Sequence, residues 1–100
     1  NKDNFWMDKL IGKDRELMMS IFDTMIDMYY DMLKLKQGIL NIKYEKYVEE
    51  LKELSMNISQ DKLLRIINYL LEARDSIKFN VNINLLMDSV VVNVGGLLWK

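Results

Sequence analysis

Residues 14–37 read DRELMMSIFDTMIDMYYDMLKLKQ, and the spacing within them decides the fold. Leu17, Ile21, Met25, Met28, Met32 and Leu35 recur every three or four positions, the period of one face of a helix. A second row, Met18, Phe22, Ile26, Tyr29 and Leu33, lies beside the first. Together the rows make an apolar face too wide for one neighbour, which predicts a central helix. Its polar stripe is Glu16, Ser20, Asp23, Asp27, Asp31 and Lys34. Asp14 is placed to cap the start and Gly38 to stop the end.

Working outward, Asp3 or Asn4 precedes Phe5, Trp6, Leu10 and Ile11, a short leading helix that Gly12 would end. Downstream, Asn41 is placed to cap a helix with a narrow seam of Tyr44, Tyr47, Val48, Leu51 and Leu54. Its other positions are mostly charged, as on an outer helix. Ser59 caps a third helix whose inward residues are Leu63, Ile66, Ile67, Leu70, Ala73 and Ile77, with Asp61 in the favourable first turn. Val90, Val91 and Val92 favour strand by propensity. A lone strand would leave its backbone groups unsatisfied, and no other run offers to pair with it. Ile83, Leu86, Met87, Val90 and Val94 instead fit a helix capped by Asn82 and ended by Gly95 and Gly96. The expected fold class is all-α, a compact bundle of about four main helices plus a short N-terminal one.

Composition agrees. The chain has 100 residues, half of them apolar, with no proline and four glycines, enough for one domain (residues 1–100) and one core. Net charge is −1, from 14 basic and 15 acidic side chains, without the basic excess of a protein held by nucleic-acid phosphates. The longest uncharged run, Ser89 to Trp99, is far short of the roughly 20 residues that span a bilayer. Residue 1 is Asn, and the expectation is a piece of a longer chain.

Cysteine and histidine are absent. That removes disulfides, thiolate nucleophiles, ordinary zinc sites and the commonest general base, and it allows cytoplasmic residence, which is the expectation. Asp23, Asp27 and Asp31 stand one turn apart, but a di-metal bundle draws carboxylates from several helices with Glu-x-x-His pairs. A solvated stripe is the expectation, with Asp31 within reach of Lys34. Five of the eight methionines fall between Met18 and Met32; helical spacing makes them core rather than an adaptable groove. No phosphate-binding loop or nucleophile elbow is present. The residues alone reach a helical interaction domain with no catalytic, cofactor-binding or metal-binding residues.

Three passages carry more. Met28-Tyr29-Tyr30-Asp31, followed by Met32 to Gly38, resembles an aromatic-Tyr-Arg-Asp run closing a long helix. Asn41-Ile42-Lys43 resembles an Asn-x-Asp helix start. Glu72-Ala73-Arg74 through Ile77, Asn80-Val81-Asn82 and Leu85-Leu86-Met87-Asp88 resemble Glu-Ala-x-x-x-Leu, Asn-x-Asn and a Leu-rich closing helix. Over Met28 to Val94 the chain thus resembles the C-terminal, or collar, domain of the delta-prime subunit of the bacterial DNA polymerase III clamp loader. It departs at Tyr30, where arginine is common, and at Ile83-Asn84, where Pro-Arg is common.

The resemblance implies a non-catalytic oligomerisation domain, the C-terminal part of a larger subunit whose nucleotide-binding modules lie elsewhere. The parent complex loads the sliding clamp onto primed DNA during replication. Implied partners are the gamma/tau and delta subunits, through their own collar domains, with no direct nucleic acid, membrane or cofactor. On that reading the expected partner-facing residues are Val91, Leu97, Leu98 and Trp99, where apolar side chains outnumber the places one core offers. The competing reading is an unrelated helical adaptor or regulatory domain.

Overall fold

The structure, a computed structural model, describes residues 2–79 and 82–99, with side chains from residue 14 onward. Four α-helices follow in order: α1 Lys2–Lys36, α2 Val48–Met56 after a 3-10 turn at Glu45–Tyr47, α3 Gln60–Ser76 and α4 Ile83–Trp99. No strand occurs among the described residues, and the valine run lies within α4. The long axis of the molecule is 56 Å, close to the roughly 52 Å that 35 helical residues span.

The short leading helix is not separate. Gly12 lies inside α1, and Asp14 is one of its interior residues rather than a cap. Breaking the helix there would free donors and acceptors at two new ends, whereas one interior glycine costs only about 1 kcal/mol. The side chains of Phe5, Trp6, Leu10 and Ile11 lie outside the described ones. Gly38 does end α1. It has φ +78°, the Gly38 N–H donates to Leu35 O at 3.1 Å, and the Ile39 N–H donates to Lys34 O at 2.9 Å. That is a Schellman closure with glycine in the left-handed position.

α1 is central because it serves two core clusters. In one, Met18, Phe22 and Ile26 meet Ile66, Leu70, Ala73 and Ile77, with Val90 and Val94 of α4. In the other, Met32 and Leu35 meet Ile42, Leu51, Ile58 and Leu63. At 100° per residue the buried side of α1 turns by roughly 100° between the two. The two apolar rows read from the sequence are therefore used in succession. Leu17 and Ile21 share the row of Met32 and Leu35 yet are exposed. α2, with nine residues, covers only the Met32–Leu35 end of that row.

α3 forms as its pattern predicts: Ser59 Oγ accepts the Lys62 N–H at 3.1 Å, and Leu63, Ile66, Ile67, Leu70 and Ala73 are buried. Two other boundaries differ from expectation. Asn41 caps nothing, because the chain runs on through a loop before the turn at Glu45. In the α2 seam, Leu51 is buried, Tyr44 and Val48 are half-buried, and Tyr47 and Leu54 are exposed. At the far end, Gly95 and Gly96 do not stop α4, which continues to Trp99. Neither has positive φ, so both are ordinary helical residues.

Candidate functional site

The aspartate stripe of α1 is an internal clamp. Asp31 is only 1% exposed. Its two carboxylate oxygens accept the backbone N–H groups of Lys43 (3.0 Å) and Tyr44 (2.9 Å), folding the 39–44 loop back onto the helix. The expectation of a solvated Asp31 beside Lys34 is thereby corrected: its partners are backbone donors twelve and thirteen residues away. One turn earlier Asp27 binds Lys43 Nζ at 2.6 Å. The side-chain hydrogen bond to Asp27, with its charge, holds the Lys43 ammonium above its ordinary value. Asp23 pairs with Arg74 of α3, whose guanidinium is raised by that hydrogen bond. Lys36 Nζ donates to the Ser55 carbonyl at 3.0 Å, placing a cation at the C-terminal end of α2. Asp23, Asp27 and Asp31 are thus all spent on tertiary structure, and no grouping that could hold a metal ion occurs among the described residues.

An apolar groove of about 300 Å³ opens between α1, α2 and the end of α4, lined chiefly by Met25, Met28, Met32, Leu54 and Leu98. Tyr29, also on its wall, has its hydroxyl pKa raised by burial. The methionines therefore divide: Met18 is core, Met32 is buried at the floor of the groove, and Met25 and Met28 are partly buried groove lining.

α4 presents the other apolar surface. Val91 is 68% exposed and Trp99 93%, both standing away from the core. Leu97 turns inward against the cluster of Val90 and Val94, and Leu98 reaches the groove. The four residues expected at a partner surface thus fall in three places. Asn82 Oδ1 accepts the Leu85 N–H at 3.1 Å just ahead of α4; Asn80 and Val81 lie outside the described residues. Tyr69 Oη and Ser89 Oγ are 3.0 Å apart, and Asn93 Nδ2 donates to both Tyr69 Oη and the Ser89 carbonyl, tying α4 to α3.

Sequence reasoning missed Leu85 and Val92, 68% and 72% exposed. Their signal was present: Leu85, Val92 and Trp99 are spaced by seven, a row on one side of a helix. It also missed the burial of Asp31, which comes from a loop twelve residues later.

Over its described residues the molecule belongs to the class of all-α helical domains. No helix among the described residues is long and apolar enough to cross a membrane. The family described as DNA polymerase III, delta subunit, C terminal matches residues 7–94, and the chain belongs to it. It is a C-terminal domain of a DNA polymerase III clamp-loader subunit. The matched family is that of delta, where the sequence resemblance pointed to delta-prime. Among curated proteins and among solved structures, none matches.

Proposed function

We propose that this domain is a non-catalytic oligomerisation module that joins its subunit to neighbouring clamp-loader subunits through helix faces. The observation that carries the reading is the outer side of α4, where Leu85, Val91, Val92 and Trp99 are exposed together and Asp88 is the one charge between Ile83 and Trp99. Monomeric proteins rarely leave this many large apolar side chains exposed along one helix with a single charge, Asp88, among them. The groove beside Leu98 supplies a second apolar surface, as a ring member with two neighbours needs. Its partners would be the gamma/tau subunits and the other delta-type subunit, by way of their own C-terminal helical domains.

Between the two delta types, the match over residues 7–94 favours delta. The Asn80-Val81-Asn82 passage is the observation that favours delta-prime. Family membership leaves the reading as an unrelated adaptor without support. The net charge of −1 argues against a phosphate-driven grip on DNA. The test is a pull-down of the chain against the C-terminal domains of gamma/tau, delta and delta-prime, beside a DNA shift assay at low salt. Retention by at least one of these subunits, without a DNA shift, is expected. A DNA shift with no subunit retained would overturn the proposal.

A further inference from the structure

The outward row Leu85, Val92, Trp99 lies on the side of α4 opposite buried Val90 and Val94. Between Val92 and Trp99 stand Gly95 and Gly96. A methyl group built on either glycine meets nothing within 4 Å beyond its chain neighbours and its own helix backbone. Neither adopts positive φ. The fold therefore requires glycine at neither position for space or for backbone conformation, although glycine weakens a helix interior relative to alanine.

Val92, Gly95, Gly96 and Trp99 occupy positions i, i+3, i+4 and i+7. Four residues so spaced frame the hole that receives one side chain from a facing helix. With two glycines as its floor the hole is deep, and a recess of about 360 Å³ opens beside it along Val92, Asn93, Gly96 and Leu97. No charge occurs from Ser89 to Trp99.

From this geometry, and resting on the clamp-loader reading, we infer that a helix of a neighbouring clamp-loader subunit packs along α4 and seats a large apolar side chain over Gly95 and Gly96. The four exposed side chains Leu85, Val91, Val92 and Trp99 offer on the order of 600 Å², about three quarters of the roughly 800 Å² that each side gives a standard interface. A second α4 is a poor occupant. Its large outward side chains, Leu85 and Trp99, sit at its two ends, and its middle brings only Val91, Val92, Ser89, the glycines and the charge of Asp88. The facing helix must instead carry its large apolar residues at mid-length, no charge opposite Ser89 to Trp99, and a polar or basic group where it passes Asp88.

The test measures both affinity for the retained clamp-loader subunit and thermal melting, for the chain and its Gly96→Ala and Gly96→Leu variants. Met56→Lys, on exposed α2, is the control. Gly96→Ala should melt higher yet bind more weakly, a pairing of signs that a purely structural glycine does not give. Gly96→Leu should lose about tenfold or more in affinity, while Met56→Lys binds as the parent does. If the unmodified chain binds and both Gly96 variants bind equally well, the face is wrong and the clamp-loader reading stands. If the unmodified chain binds no clamp-loader subunit, that reading fails and the inference falls with it. Sedimentation supplies the last arm: a dimer of the chain alone that Gly96→Leu dissolves would make a second copy the occupant and overturn the choice of partner.

Discussion

α2 and α4 both lie outside the central pair, α2 against α1 and α4 against α3, yet their outer sides are opposites. α2 shows water four charges, Glu49, Glu50, Lys52 and Glu53, with Leu54 and Met56 among them, around a single buried leucine, Leu51. α4 shows Leu85, Val91, Val92 and Trp99, with Asp88 its one charge. A helix apolar on all sides is one with cover on all sides. On the proposed reading the difference separates a side that meets solvent, at α2, from a side that meets a partner, at α4. Changes on the α2 side should therefore register in stability, and changes to the outer side of α4 in association.

The sharpest way to break that division is at Asp31, which fixes the loop leading into α2. Asp31→Ala leaves the Lys43 and Tyr44 N–H groups without their acceptors, at a cost of about 3 kcal/mol in urea unfolding. Asp31→Asn keeps one acceptor oxygen and should lose about half as much. A loss below about 0.5 kcal/mol for Asp31→Ala, the range of ordinary surface changes, would show that the loop is not held this way.

Asp31 also marks the limit of what the sequence discloses. Periodicity gives the angle of a residue around its helix, and by angle Asp31 belongs with Asp23 and Asp27 on the polar stripe. Its burial comes from a loop more than ten residues later folding back over it, which no local pattern records. Leu17 and Ile21 fail in the opposite sense: the row is right, but α2 is too short to cover them. Gly12, Gly95 and Gly96 read as stops because glycine is locally unfavourable, whereas a helix already formed on both sides passes through. Where signals are local, as at Ser59, along the α3 face and at Gly38, sequence and structure agree. Of the residues expected to face a partner, Val91 and Trp99 are exposed, whereas Leu97 turns inward to the core.

Glycine substitutions sharpen the comparison by their sign. Gly38 holds φ +78° with open space around it, so Gly38→Ala should cost about 1 kcal/mol through the backbone alone. Gly96→Ala places a methyl in equally open space on ordinary helical backbone and should gain about 0.5–1 kcal/mol. Opposite shifts in melting temperature are expected, and a loss at both positions would mean that the outer side of α4 is already filled within this chain. Asn82→Ala probes the other end of α4. Loss of the acceptor for the Leu85 N–H should cost about 1 kcal/mol. A change of zero in chemical denaturation would remove Asn82 from the contacts that hold α4.

The smallest effect is expected at Lys43, whose ammonium meets Asp27 at the surface while its backbone N–H meets Asp31 below. The two contacts of one residue separate what is screened from what is not. Asp27 raises the Lys43 pKa above 10.5 in the folded protein. A raised pKa means that folding favours the charged form, so the contribution is complete below pH 10.5 and disappears as the pH rises through the folded value. Lys43→Met should therefore melt slightly below the parent at neutral pH and low salt. The difference should close above pH 10.5, and also in roughly 1 M salt, where the screening length falls to about 3 Å. The Asp31→Ala deficit should persist in the same salt, because its hydrogen bonds are shielded from solvent. If salt erased both deficits alike, the corner beneath α2 would be a surface ion pair rather than a buried clamp, and the contrast between α2 and α4 would lose its polar half.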